Sequence, residues 1–160
     1  MIEMKVNGLA VDSASKMPVV IMTDESEKRF LPIWIGIYEA DAILVAMEDI
    51  KVPRPMTHDL IKTIIETLAI EVDRIIIHDI KNNTFFAKIH LILNAKTYQI
   101  DSRPSDAIAL ALRTEAPIFV SEHVILEATI MDKEKYEKEM SEFKEFLKDL
   151  KPSYFSNYKD

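Results

Sequence analysis

Hydrophobic residues fall into two blocks of β-type runs, residues 2–35 and 72–100, with stretches of helical period between and after them. In the first block Met4, Val6, Leu9 and Val11, then residues 19–22, then 30–35 form strand-like runs separated by polar turns at 12–16 and 24–28. The second block has runs over 72–80, 84–93 and 96–100. Its first two runs flank Asn82-Asn83, a pair that tolerates the positive φ of a tight hairpin. A helix is predicted over 36–50. The segment 51–56, Lys-Val-Pro-Arg-Pro-Met, follows as a stiff connector, because its two prolines exclude helix. Thr57 then caps a second helix to about residue 69, with Asp59 in its first turn complementing the dipole. A third helix over 104–114, a short strand at 117–121 and a short helix at 122–128 complete the pattern. A last helix over 133–150 places Tyr136, Met140, Phe143, Leu147 and Leu150 on one stripe. Helices and strands come in blocks rather than in strict alternation. The expected fold is therefore α+β: a mixed or antiparallel sheet with packed helices, residues 1–130 forming the domain and 131–160 a helical extension docked on it.

The third helix differs from the others. After Asp106 it reads Ala107, Ile108, Ala109, Leu110, Ala111, Leu112, apolar on every side, which predicts burial on all faces. Pro104 suits its first turn and Ser102 stands where a cap is expected. Asp101, Arg103, Ser105 and Asp106 thus gather where a core helix meets the surface, and charge at such a place is costly unless it is paired or used.

Composition narrows the chemistry. There is no cysteine, which excludes disulfides, thiolate zinc sites and cysteine nucleophiles. The two glycines, Gly8 and Gly36, are too far apart for a phosphate-binding glycine loop. No G-x-S-x-G elbow and no H-E-x-x-H pair occurs. The net charge is −7, with 17 acidic against 13 basic residues over 1–121 and 10 against 7 over 122–160, so no basic arm is available for broad contact with nucleic acid. A secretory start is not expected, since Glu3 interrupts the first residues, and no apolar run reaches bilayer length. A cytoplasmic protein without membrane contact is expected.

Several polar positions have a functional and a structural reading. On a helical wheel Glu39 shares a side with Ile43, Ala46 and Ile50, while Tyr38, Asp41 and Glu48 point away. Its carboxylate either complements the helix dipole or enters a pocket as a metal ligand or proton acceptor. His58 lies at the edge of its helix's apolar face, as a packing residue with one hydrogen bond or as an acid/base, and Asp59 reads most simply as a helix-start acid. Arg54 either contacts phosphate or pairs with a neighbouring acid. Arg103 is a bidentate donor beside free helix N–H groups, an anion site, unless it is spent on an i,i+3 pair with Asp106. Asp101 and Asp106 would repel a bare phosphate, and a bridging divalent cation would relieve that repulsion. His78 and His90 are expected to be buried and hydrogen-bonded, His123 to lie on the surface, and Trp34 to belong to the core.

The segments LPIWIGIYEADAI (31–43), PRPMTHDL (53–60) and IDSRPSDAIALALRTEAPIFVSE (100–122) resemble the signature blocks of the bifunctional nuclease domain family, in family order. With the strands between them the resemblance covers about residues 2–130, and FKEFLKDLKPSYF (143–155) is similar to an extension of bacterial members. It implies a compact α+β domain, often dimeric, with DNase and RNase activity. It also implies recurring polar positions at Glu39, Arg54, His58, Asp59, Asp101, Arg103, Ser105 and Asp106. The leading expectation is a homodimeric, metal-assisted nuclease acting on DNA or RNA. In it Glu39, Asp101 and Asp106 hold Mg²⁺ or Mn²⁺, while Arg54, Arg103 and Ser105 bind the phosphate. His58, Asp59, Asp101 and Asp106 are the catalytic set, with His58 as acid/base because histidine as a residue type exchanges protons near neutrality. Glu39, His58, Asp101 and Asp106 are then expected to converge. The alternatives are a non-catalytic homodimeric module whose ionic cluster is structural or holds a small anion, and a small-molecule phosphohydrolase. The first hairpin and the Tyr136–Leu150 stripe are the surfaces expected to serve the dimer or tail docking.

Overall fold

The computed structural model describes residues 1–128, with Ser141 and Glu145 beyond them. The stripe expected between Tyr136 and Leu150 lies outside the described residues, as does the docking of the tail. Seven strands and four helices run in the order β1 (Ile2–Val11), β2 (Pro18–Asp24), β3 (Phe30–Trp34), α1 (Ile37–Met47), α2 (Thr57–Thr67), β4 (Glu71–Lys81), β5 (Thr84–Leu93), β6 (Lys96–Ser102), α3 (Pro104–Thr114), β7 (Ile118–Val120) and α4 (Glu122–Glu127). The fold is α+β. Two antiparallel meanders, β1-β2-β3 and β4-β5-β6, are joined into one sheet of order β3-β2-β1-β7-β4-β5-β6. Three-residue β7 is the seam, antiparallel to β1 and parallel to β4.

The main core lies between one face of this sheet and the helices. Val20, Met22, Leu31 and Ile33 of the first meander and Ile75, Ile77 and Ala87 of the second meet Ile43, Ile108 and Val124 from α1, α3 and α4. Residues 107–111 of α3 are all buried, as its unbroken apolar run required. Ala10, Val19, Ile21 and Phe30 form a second buried cluster, and since Val19 and Ile21 alternate with Val20 and Met22 they occupy the reverse face. Asn82 and Asn83 take φ of 49° and 59°, the hairpin geometry expected of them. With so few glycines, helix ends and turns use other residues at positive φ, among them Asp49, Ala69 and Glu115.

Four local expectations are corrected. Met56, not Thr57, is the N-cap of α2, and its N–H is accepted by Asp59, so Asp59 closes the first turn. Arg103, not Ser102, caps α3, because β6 continues through Ser102. Trp34 is 46% exposed, at the last position of edge strand β3. His78 follows Ile77 at a bulge of β4, and its buried Nε2 has no hydrogen-bond partner. Among the described residues no helix is long and apolar enough to cross a membrane.

Candidate functional site

Helices α1, α2 and α3 each begin with an extended N-cap residue and carry an acid three positions on: Glu39 after Gly36, Asp59 after Met56, Asp106 after Arg103. The third helical position faces back over free backbone N–H groups, which is why acids are favoured there. Because α3 packs against both α1 and α2, the three acids come within reach of two arginines of α3.

Arg103 joins α1 to α3. Its Nε donates to Asp106 Oδ2 at 2.7 Å and its Nη1 to Glu39 Oε1 at 2.7 Å. These carboxylates, Asp106 first, raise the Arg103 pKa still further. On the other side of Asp106, Oδ1 lies 3.1 Å from His58 Nε2 on α2. Burial opposes ionisation of Asp106, but the hydrogen bonds from Arg103 and His58 outweigh it and hold the carboxyl below its ordinary range. The His58 side chain is 12% exposed. Among the described residues its Nδ1 has no hydrogen-bond partner.

Arg113, in the last turn of α3, makes the second link. Its side chain is 6% exposed, with Nε on Asp59 Oδ1 at 2.6 Å and Nη1 shared between the carbonyls of Ala42 at 3.0 Å and Ala109 at 2.9 Å. Burial opposes ionisation of Asp59 too, yet Arg113 and the Met56 N–H together lower its pKa. One buried guanidinium therefore ties α1, α2 and α3 together directly behind His58. Sequence reading missed this residue. The available signal was a lone cation four residues after Ala109 on an otherwise apolar helix, and it reads equally well as dipole complementation at a C-terminus.

Of the expected site residues, Glu39, His58, Arg103 and Asp106 form one continuous network, and Asp59 stands next to it through Arg113. Ser105, 6% exposed in the first turn of α3, lines a cavity beside Arg103. Arg54 is exposed in the connector and makes no hydrogen bond or ion pair with a described residue. Asp101 does not converge. Ala87 and Ile89 pair with Ser102 and Ile100 on the helix-covered face, so Asp101, opposite Lys88, points from the reverse face. The expected carboxylate triad is thus divided by the sheet. Glu39 and Asp106 both direct oxygens at Arg103, whose guanidinium already supplies positive charge between them. Among the described residues no group of three or more His, Asp and Glu side chains is arranged to hold a metal ion. The donor set does not fit a resident Mg²⁺ or Mn²⁺.

The arrangement provides an oriented histidine, a 64%-exposed arginine at a helix start, and an adjoining cavity. Comparison with known proteins bears on its use. A model of the bifunctional nuclease domain matches residues 20–133. An uncharacterized protein of Mycobacterium tuberculosis (strain ATCC 25618 / H37Rv) is 37% identical over 162 residues, covering 96% of this chain and 97% of its own length. Bifunctional nuclease 1 of Oryza sativa subsp. japonica is 26% identical over 116 residues, 71% of this chain and 35% of the plant protein. Bifunctional nuclease 1 of Arabidopsis thaliana is likewise 26% identical, over 71% of this chain and 36% of its own length.

Proposed function

The chain belongs to the bifunctional nuclease domain family, and from that premise we propose that it hydrolyses phosphodiester bonds of DNA or RNA at the His58–Asp106–Arg103 network. The observation that carries the reading is the His58–Asp106 contact, which leaves Nδ1 without a partner among the described residues, while the same carboxylate holds the exposed Arg103. Asp106 favours the tautomer protonated at Nε2, so Nδ1 presents its lone pair. Nδ1 takes a proton from the attacking water as the new P–O bond forms. The P–O bond to the leaving oxygen then breaks, and that oxygen is protonated from solvent. Arg103 holds the phosphate by exchanging one carboxylate contact for a phosphate oxygen, a movement its exposure permits, and Arg54 adds a second cation from the connector.

Charge limits affinity. With His58 neutral, the network of two carboxylates and one guanidinium carries −1, and a phosphate at ~6 Å meets roughly 1–3 kcal/mol of repulsion at effective dielectrics between those of water and a protein surface. Charge-assisted hydrogen bonds return a similar amount, which predicts weak, salt-sensitive binding. We place any divalent cation with the incoming polynucleotide. A second reading rests on the same geometry: Arg103 bonds Glu39 and Asp106 at once, as in a structural lock between α1 and α3 of a non-catalytic module. Cleavage of labelled single- and double-stranded DNA and RNA, with Mg²⁺, Mn²⁺ or EDTA, separates the two. Asp106→Asn and His58→Asn should each lower cleavage at least 100-fold with the fold intact; cleavage unchanged in both variants excludes this network as the site.

We also assign the homodimer to α2. Leu60, Ile61 and Ile64 on that helix and Leu68 at its C-cap are 53%, 38%, 50% and 58% exposed, a contiguous stripe of the kind monomers seldom leave in water. Their fourfold spacing suits ridge-into-groove packing against a second copy of the same helix about a two-fold axis. The partner would then border the helix turn that carries His58.

A further inference from the structure

Beside the ionic network lies a cavity of about 290 Å³, walled by the end of β3, the β4–β5 turn and the first turn of α3. Its size is at the lower end for small-molecule pockets, room for one flat ring system rather than a whole nucleotide. Phe85 gives it an aromatic wall, and Trp34 borders it at the end of β3. Trp34 is 46% exposed, and its Nε1 donates to Asp12 Oδ2 at 3.4 Å on the Val19 side of the sheet. Beside Phe85 stand polar groups with unused capacity. The Ser105 hydroxyl belongs to a side chain that is 94% buried and makes no hydrogen bond with any described residue. Glu39 gives Oε1 to Arg103, while Oε2 has no partner among the described residues and folds over Gly36, at the place a Cβ would occupy. Gly36 has φ of −75°, so glycine serves here to leave space for that carboxylate rather than to reach a left-handed backbone. Asn83 completes the rim.

We infer that this cavity is a nucleobase subsite that favours guanine. Aromatic surface accepts the face of any base by stacking. The edge groups discriminate. A carboxylate oxygen accepts N–H groups, and guanine alone offers an adjacent ring N–H and amino group together with a carbonyl oxygen. Glu39 Oε2 takes the N–H edge, while Ser105 Oγ is the donor for the carbonyl. Arg103 borders the cavity on one side and contacts Asp106, the partner of His58, on the other. A base seated in the cavity therefore sets its own phosphate beside Arg103. In this way the subsite would decide which phosphodiester is presented to His58.

The inference rests on the proposed nuclease reading only for the role of that phosphate, and base binding is measurable without turnover. Trp34 is the sole tryptophan of the chain and reports directly. The full-length protein is titrated with GMP, AMP, CMP, UMP and ribose 5-phosphate while its fluorescence is followed. GMP should quench saturably and bind at least fivefold more tightly than AMP, and ribose 5-phosphate should leave the emission unchanged. Ser105→Ala, which an N-terminal helical turn accommodates, should weaken GMP severalfold, and Glu39→Gln should narrow the GMP-to-AMP ratio. No saturable quench, equal response to ribose 5-phosphate, or AMP binding as tightly as GMP overturns the inference. So does GMP affinity unchanged in both variants. Cleavage without nucleotide quenching sinks the subsite alone; quenching without cleavage sinks the nuclease reading and leaves the subsite standing.

Discussion

Replacing Arg113 with methionine tests whether the three-helix apex is held as described. The perturbation removes a guanidinium that is 6% exposed and keeps most of the side-chain volume. Breaking a buried ion pair from one side costs about 3–5 kcal/mol. Two features reduce that. Asp59 is 30% exposed and keeps the Met56 N–H, so it rehydrates in part. Arg113 Nη2 is itself buried without a partner, and deleting it relieves about 1–3 kcal/mol of desolvation. The Ala42 carbonyl loses its bond to Nη1. The balance is a loss of about 2 kcal/mol, which lowers a urea midpoint by roughly 1 M at ordinary slopes. Urea unfolding followed by far-ultraviolet circular dichroism reads it. In the Asp59→Asn/Arg113→Met double variant the carboxylate is gone, and the total cost should fall below the sum of the singles by about 1–2 kcal/mol. A single-variant loss under 0.5 kcal/mol, or strict additivity, would refute the buried link.

Three further outcomes follow from the same contacts. The folded pKa of Asp59 and of Asp106 lies below the ordinary carboxylate value. Their contribution is therefore fully present above about pH 4 and lost as pH falls through the folded pKa, so in acid-titrated urea melts the stability gap between wild type and Arg113→Met should narrow as pH falls through the folded pKa of Asp59. Gly36→Ala puts a methyl group where Glu39 Oε2 now lies, so the carboxylate must swing out. The cost to thermal stability should stay within about 1 kcal/mol, the range of a partly exposed pair, while the GMP-to-AMP ratio collapses. Ile64→Glu charges the middle of the exposed α2 stripe; if the proposed dimer forms there, light scattering at micromolar concentration should give a dimer mass for wild type and a monomer mass for the variant.

The elements were legible because each had a local cause: two turn-separated meanders, a proline connector, and an apolar run long enough to fill a buried helix. Strand order was not legible. The three residues of β7 sit between β1 and β4 through pairings set by the whole core, and nothing in Ile118-Phe119-Val120 specifies a parallel neighbour on one side and an antiparallel one on the other. Trp34 was misplaced because aromatic strand residues are usually interior, whereas this one ends an edge strand. Asp101 was grouped with Arg103 by sequence proximity. The alternation of β6 through Ser102 sends it to the reverse face, and period two applied to the strand end would have separated them.

The acid at the third position of each long helix shows how far such local rules reach. All three sites satisfy the same electrostatic preference, yet each carboxylate is used differently. Asp59 binds its own N-cap N–H and a buried arginine, so it is spent on holding α2 in place. Asp106 leaves its N-cap N–H alone and divides its two oxygens between Arg103 and His58. Glu39, one methylene longer, reaches Arg103 with one oxygen and keeps the other free over a glycine. What separates them is the partner that tertiary packing brings. α3 places an interior arginine against one acid and an exposed arginine between the other two. The interior pair needs only to be stable. The exposed arginine holds two carboxylates at once and still faces solvent, so under the proposed function an incoming phosphate would compete with them for it.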